Sequence, residues 1–149
     1  MPGGELNDGP DAFDSMQEEI LRRAAAVYPP KVMELWRNPQ NAGGLEDPDG
    51  YACITGPCGD TMQIWLRVAE GRIAEATFWT DGCGPSIVCG SMVTILARGR
   101  TVEEAVAVDQ QAVLDALGGL PEESRHCALL AVRTLAEAVG EAGRRKETR

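Results

Sequence analysis

Apolar residues recur along this chain with two different periods, and the change from one to the other divides it. From Asp11 to Val27, Phe13, Met16, Ile20, Ala24 and Val27 return at helical spacing, which predicts an amphipathic helix whose stripe forms a core face. Pro29 and Pro30 interrupt it. A second short helix is predicted from Lys31 to Arg37, ending before Asn38-Pro39 because a proline disfavours helix at the residue before it. The stretch from Asn38 to Gly50 is dense in Gly, Pro, Asn and Asp and reads as a loop.

The period then falls to two. Met62, Ile64, Leu66 and Val68 alternate with Gln63, Trp65 and Arg67, which predicts a strand over Thr61–Val68 with one face buried. Ala69-Glu70-Gly71 reads as a hairpin turn and Arg72–Thr80 as the returning strand, with a weaker strand ahead of them at Tyr51–Thr55. Beyond Thr80 the helical period resumes. Pro85 suits the first position of a helix running to about Arg98, with Ile87, Val88, Met92, Ile95 and Leu96 inward. Thr101-Val-Glu-Glu104 resembles a capping box at the start of a short helix to Val106, and Gln110–Leu117 is another. A last helix runs from Pro121 or Ser124 to Ala142, with Ala128, Ala131, Val132, Leu135 and Val139 on its apolar side. Strands first and helices after predict an α+β domain: a small three-stranded antiparallel sheet packed against several helices, with an additional N-terminal amphipathic helix.

Composition narrows the functions open to such a domain. A chain of 149 residues fits one domain and buries a core without metal or disulfide support, so any metal site serves function rather than folding. The formal net charge of −9 argues against nucleic acid, since gripping phosphates takes Lys and Arg. Acidic residues gather from Asp47 to Asp60 and basic ones in the tail Arg144-Arg145-Lys146, read as a solvated helix end. Residues 1–20 lack an apolar leader and no apolar run is long enough to span a membrane, so a cytoplasmic protein without membrane contact is expected. Thiols stay reduced there, and five cysteines call for an explanation other than disulfides.

Three cysteines sit where chemistry would want them. Cys58 opens Cys58-Gly59-Asp60 at a strand start, Cys83 lies in Gly82-Cys83-Gly84 between a strand end and a helix start, and Cys127 lies early in the last helix behind the chain's one histidine, His126. A thiol at a helix N-terminus ionises more easily, and the thiolate is both metal ligand and nucleophile. Gly82 and Gly84 leave the sulfur of Cys83 approachable. Soft thiolates select iron–sulfur clusters, zinc or Cu(I). One histidine excludes sites that need two, and the wide spacing of the cysteines is not that of a structural zinc ribbon. Ligands on separate loops favour an exchangeable site. Cys53 and Cys89 read as small packing residues.

Taken together these motifs resemble one family. Residues Tyr28–Gly43 (Tyr-Pro-Pro-Lys-Val-Met-Glu-Leu-Trp-Arg-Asn-Pro-Gln-Asn-Ala-Gly), Cys58-Gly59-Asp60, Gly82-Cys83-Gly84 and His126-Cys127 are similar, in order and near spacing, to the markers of the IscU family, whose fold is also the N-terminal domain of NifU. The resemblance covers about residues 28–142, preceded by an extension over 1–27 and followed by a basic tail over 143–149. It implies a scaffold for iron–sulfur cluster assembly, not itself an enzyme. A cysteine desulfurase supplies persulfide sulfur, Fe2+ binds, an electron donor such as a ferredoxin delivers electrons, and a transient [2Fe–2S] cluster forms and passes to apo acceptor proteins. Cys127 would be the persulfide acceptor, and Cys58, Asp60, Cys83, His126 and Cys127 would hold iron or the cluster. Asp60, a hard oxygen ligand, would keep the cluster labile.

Relatives carry Leu-Pro-Pro-Val-Lys for a specialised Hsp70-type chaperone; here the stretch is Leu120-Pro121-Glu122-Glu123-Ser124, so release by that chaperone is not expected, and Arg125 is the nearest replacement for the missing lysine. His126 separates the chain from the zinc-dependent SufU branch. The extra helix before Tyr28 is expected to cover the sheet or join a homodimer. The alternative reading is a zinc-bound sulfur-transfer protein, with Zn2+ on the same ligands and a desulfurase as partner.

Overall fold

A computed structural model describes residues 10–148, with side chains over 14–145. The order of elements is α1 (Pro10–Ala25), α2 (Pro30–Arg37), β1 (Gly50–Thr55), β2 (Thr61–Ala69), β3 (Arg72–Thr80), α3 (Gly84–Ala97), α4 (Val102–Val106), α5 (Gln110–Leu117), a single 3-10 turn at Glu122–Ser124, and α6 (Arg125–Thr148). The strands form one antiparallel sheet in the order β1-β2-β3. Among the described residues no helix is long and apolar enough to cross a membrane.

The sheet is built as the period-two pattern requires. Met62, Ile64 and Leu66 of β2 and Ile73, Ala76 and Phe78 of β3 point inward, and α3 and α6 cover that face. The β2–β3 turn is the two residues Glu70 and Gly71, both with positive φ (54° and 77°), which matches the right-handed twist of the strands. A bulge at Arg67/Val68 shifts the register beside that turn. The capping box is complete: the Glu104 N–H donates to Thr101 Oγ1 at 3.1 Å and the Thr101 N–H to Glu104 Oε1 at 2.9 Å.

Three expectations need correction. The stripe on α1 is not a core face: Met16 is 65%, Ile20 55% and Val27 63% exposed, while Phe13 lies outside the described side chains. α1 packs on α2 and does not cover the sheet. It hangs on a short link broken by Pro29, the N-cap of α2, so its period sets a face without supplying a partner for it. Second, α3 is buried on almost every side, yet Ile95, expected inward, is partly exposed. The helix is sandwiched, so an amphipathic reading undercounts its buried positions: Cys89, Gly90, Val93 and Thr94 are buried too. Gly90 lets Phe78 lie directly against the helix backbone. Third, α6 does not end at Ala142 but runs on to Thr148, and Arg145 in that last stretch reaches the Pro48 carbonyl at 2.6 Å and Glu141 at 3.3 Å.

Candidate metal centre

All the expected ligands lie at one end of the sheet. Two antiparallel turns of the chain place the end of β1, the start of β2 and the end of β3 together there, and α3 and α6 both begin at that end. The β1–β2 loop, Gly56 to Asp60, is closed by the Gly56 N–H donating to the Asp60 carbonyl at 2.8 Å and the Gly59 N–H to the Gly56 carbonyl at 3.0 Å. Gly59 has φ 93°, a conformation that the residue between Cys58 and Asp60 adopts at no cost only as glycine. Asp81 anchors the neighbouring turn, accepting from the Thr61 N–H at 2.8 Å.

Cys58, Asp60 and His126 meet: one ligand atom from each lies within 4.8 Å of the others. Cys127 adjoins them, its Sγ 3.7 Å from His126 Nε2. A sulfur, a carboxylate oxygen and an imidazole nitrogen this close, with a second sulfur beside them, suit the coordination sphere of iron or zinc. Cys83 is the N-cap of α3, exposed, with no hydrogen bond from its side chain to the helix. It stands outside the compact group, near enough that its charge bears on Cys127.

The three cysteines of the site differ in burial. Cys58 and Cys83 are exposed, whereas Cys127 is 3% exposed. Burial raises the Cys127 thiol above its ordinary range; a hydrogen bond from Ser86 opposes this, and the negative groups at Cys83, Asp60 and Cys58 add to it. The easier ionisation expected of a thiol in the first turn of a helix is therefore reversed here, because desolvation and like charges outweigh the helix end. Cys89 is buried, as expected of a packing residue, and burial followed by the charge of Cys127 pushes its thiol far up. Cys53 is not packed: it lies exposed on β1, whose other face carries the buried Ala52.

The glycines flanking Cys83 do something other than clear a path. A Cβ on Gly84 would fall on the Trp36 ring, with Cη2 at 2.7 Å and two ring atoms closer, so Gly84 seats α2 against the start of α3. A Cβ on Gly82 would lie 2.5 Å from Ser86 Oγ and 2.9 Å from Asp60 Oδ2. Sequence reasoning missed Ser86. It is fully buried in the first turn of α3, and its Oγ is 3.2 Å from Asp60 Oδ2 and 3.4 Å from Cys127 Sγ. The available signal was a hydroxyl embedded in the otherwise apolar run after Gly82-Cys83-Gly84.

Comparison with known proteins decides the family. Residues 27–149 match the NifU-like N terminal domain. The chain belongs to that family. Within the NifU-like family it is 42% identical over 114 residues to the iron-sulfur cluster assembly scaffold protein IscU 1 of Archaeoglobus fulgidus, covering 76% of this chain and 74% of that one. It is 38% identical over 118 residues to the IscU scaffold of Azotobacter vinelandii, covering 76% of this chain and 91% of the other. The nitrogen fixation protein NifU of Trichormus azollae is 34% identical over 121 residues, but only 40% of its length is matched. Among solved structures, the N-terminal NifU-like protein of Brucella abortus superposes with a TM-score of 0.63 over 79% of this chain and 95% of its own, at 20% identity, a likeness of fold.

Proposed function

We propose that this NifU-like domain is a scaffold on which an iron–sulfur cluster is assembled and from which it is handed to acceptor proteins. The observation that carries the reading is the convergence of Cys58, Asp60 and His126, from two separate parts of the chain, with Cys127 at their side and Cys83 at the rim. The names of the relatives agree with it. The donor set fits the cargo: thiolates and imidazole bind iron strongly, and one carboxylate lowers the hold on a metal pair that prefers sulfur.

The roles divide by burial and chemistry. Cys127 accepts sulfur from the persulfide of a cysteine desulfurase. Its thiolate attacks the outer sulfur, the S–S bond breaks, and the electron pair leaves on the desulfurase cysteine, so Cys127 becomes the persulfide. Cys127 is buried, so it takes part only once a docked partner uncovers its sulfur, which restricts sulfur delivery to that partner. Cys58, Cys83, Asp60 and His126 hold iron alongside it, and a ferredoxin-like donor supplies electrons. Asp60→Ala is expected to keep its cluster longer than the unmodified chain; faster loss would count against that role.

A second reading rests on the compactness of the Cys58, Asp60 and His126 group, which with Cys127 offers four donors to a single zinc ion while Cys83 stands apart. On that reading the protein transfers sulfur and builds no cluster. One experiment separates the two. The protein is purified without oxygen and incubated with a desulfurase, cysteine, ferrous iron and a reductant, followed by visible absorption and iron and sulfide analysis. The bands of a [2Fe–2S] cluster, lost in Cys83→Ser, are expected. Tightly held zinc with no cluster would overturn the scaffold reading in favour of the second.

A further inference from the structure

We infer that Ser86 is a positioning residue that ties Asp60 to Cys127, giving its one hydroxyl proton to Asp60 while Cys127 is a thiol and to the Cys127 sulfur once metal binds it, an inference that rests on the ligand roles just proposed.

The geometry is that of a bridge. Ser86 Oγ lies between Asp60 Oδ2 at 3.2 Å and Cys127 Sγ at 3.4 Å, and the residue is wholly shielded from water. A hydroxyl has one proton to donate and lone pairs with which to accept. It therefore cannot donate to both neighbours at once. When Cys127 is a thiol, its S–H donates to Oγ and the hydroxyl donates to Asp60, holding the carboxylate back towards α3. When the Cys127 sulfur is taken up by metal, it has no proton to give. The hydroxyl then turns to Sγ, and Asp60 Oδ2 is freed towards Cys58 and His126, with which it already shares a compact group. Occupation of the buried sulfur is thus coupled to release of the oxygen ligand.

The fold is arranged to keep this bridge in place. Ser86 is fixed in the first turn of α3, where its N–H donates to the Cys83 carbonyl at 2.9 Å, so a single turn of helix carries both Cys83 and the bridging hydroxyl. Gly82 leaves no Cβ where one would strike Ser86 Oγ and Asp60 Oδ2 together. Partners of metal ligands orient them, and their loss commonly weakens metal binding by about 10- to 100-fold.

The probe is Co2+ alone, titrated anaerobically into the full chain, with the thiolate-to-metal charge-transfer bands reporting how many sulfurs bind. Ser86→Ala is expected to bind Co2+ about 10- to 100-fold more weakly, and Ser86→Thr, which keeps the hydroxyl, to recover most of the loss. Gly82→Ala displaces the hydroxyl without removing it and is expected to reproduce Ser86→Ala, which keeps the test open should Ser86→Ala fail to fold. In protein carrying a cluster, loss of a hydrogen bond to sulfur should move the reduction potential to a more negative value. Co2+ affinity and bands within twofold of the unmodified chain in both Ser86→Ala and Gly82→Ala would overturn the inference. A wild-type chain that forms no cluster but shows the Ser86 effect with Co2+ would defeat the scaffold reading and leave the bridge standing.

Discussion

The same substitution at two helical glycines should change stability in opposite directions. In Gly90→Ala the new Cβ falls on the Phe78 ring, with Cε2 at 2.7 Å, Cγ at 2.9 Å and Cδ2 closer still. Carbon atoms pack best about 3.5–4.0 Å apart, so the ring and the helix must separate by roughly an ångström. Phe78 is 2% exposed and held between β3 and α3, with no free space to turn into. Overpacking of a tight core costs about 1–3 kcal/mol, and contacts this short belong at the upper end. Replacing glycine by alanine inside a helix returns about 1 kcal/mol. The net expectation for Gly90→Ala is a loss of about 2 kcal/mol, or roughly 4–8 °C in Tm for a chain of this size. In Gly140→Ala the Cβ meets only the end of the Arg144 side chain at 3.4 Å. There the helix gain of up to about 1 kcal/mol should stand alone. Urea unfolding of both variants beside the parent chain, with unchanged m-values, measures the difference. Gly90→Ala as stable as the parent would refute the account of α3 seated on Phe78. Because the first turn of α3 carries Cys83 and Ser86, Gly90→Ala should also weaken Co2+ binding at the centre, which Gly140→Ala should not.

Other expectations follow from burial and caps. Cys89 stays protonated in the folded chain at pH values where an unfolded thiol, with a pKa of about 8.5, does not. Its folded pKa is raised, so the stability it contributes is fully present below that pH and lost as pH rises, by about 1.4 kcal/mol per pH unit. Denaturation at pH 8 and 10 should show a smaller alkaline loss in Cys89→Ala than in the parent, and equal losses would contradict the burial. Brief iodoacetamide treatment of native apo-protein, read by mass spectrometry, should label exposed Cys58 and Cys83 before Cys127, whose thiol burial holds up; Cys127 labelling first would defeat that ordering. Thr101→Ala removes the half of the capping box in which Thr101 Oγ1 accepts from the Glu104 N–H, and should cost about 1 kcal/mol in urea unfolding; no measurable change would show that packing alone holds α4.

Much of the fold follows from periodicity alone. Met62, Ile64 and Leu66 could only be one face of a strand, and Ala128, Ala131, Val132, Leu135 and Val139 only one side of a helix, because those repeats match one local geometry each. The family was legible as well, since Cys58-Gly59-Asp60, Gly82-Cys83-Gly84 and His126-Cys127 are local strings whose order survives in the sequence. What surrounds a residue is decided by contacts between distant segments, and the sequence holds no period for those. So the α1 stripe read as a core face is exposed, Cys53 and Cys89 were given one reading and meet opposite environments, and the Cys127 thiol is raised where its place in a helix suggested the reverse. Ser86 illustrates the difference most fully. In sequence it is one hydroxyl in an apolar run. In three dimensions it joins Asp60 at the end of the β1–β2 loop to Cys127 on α6, because the first turn of α3 meets both and burial keeps water from its hydroxyl.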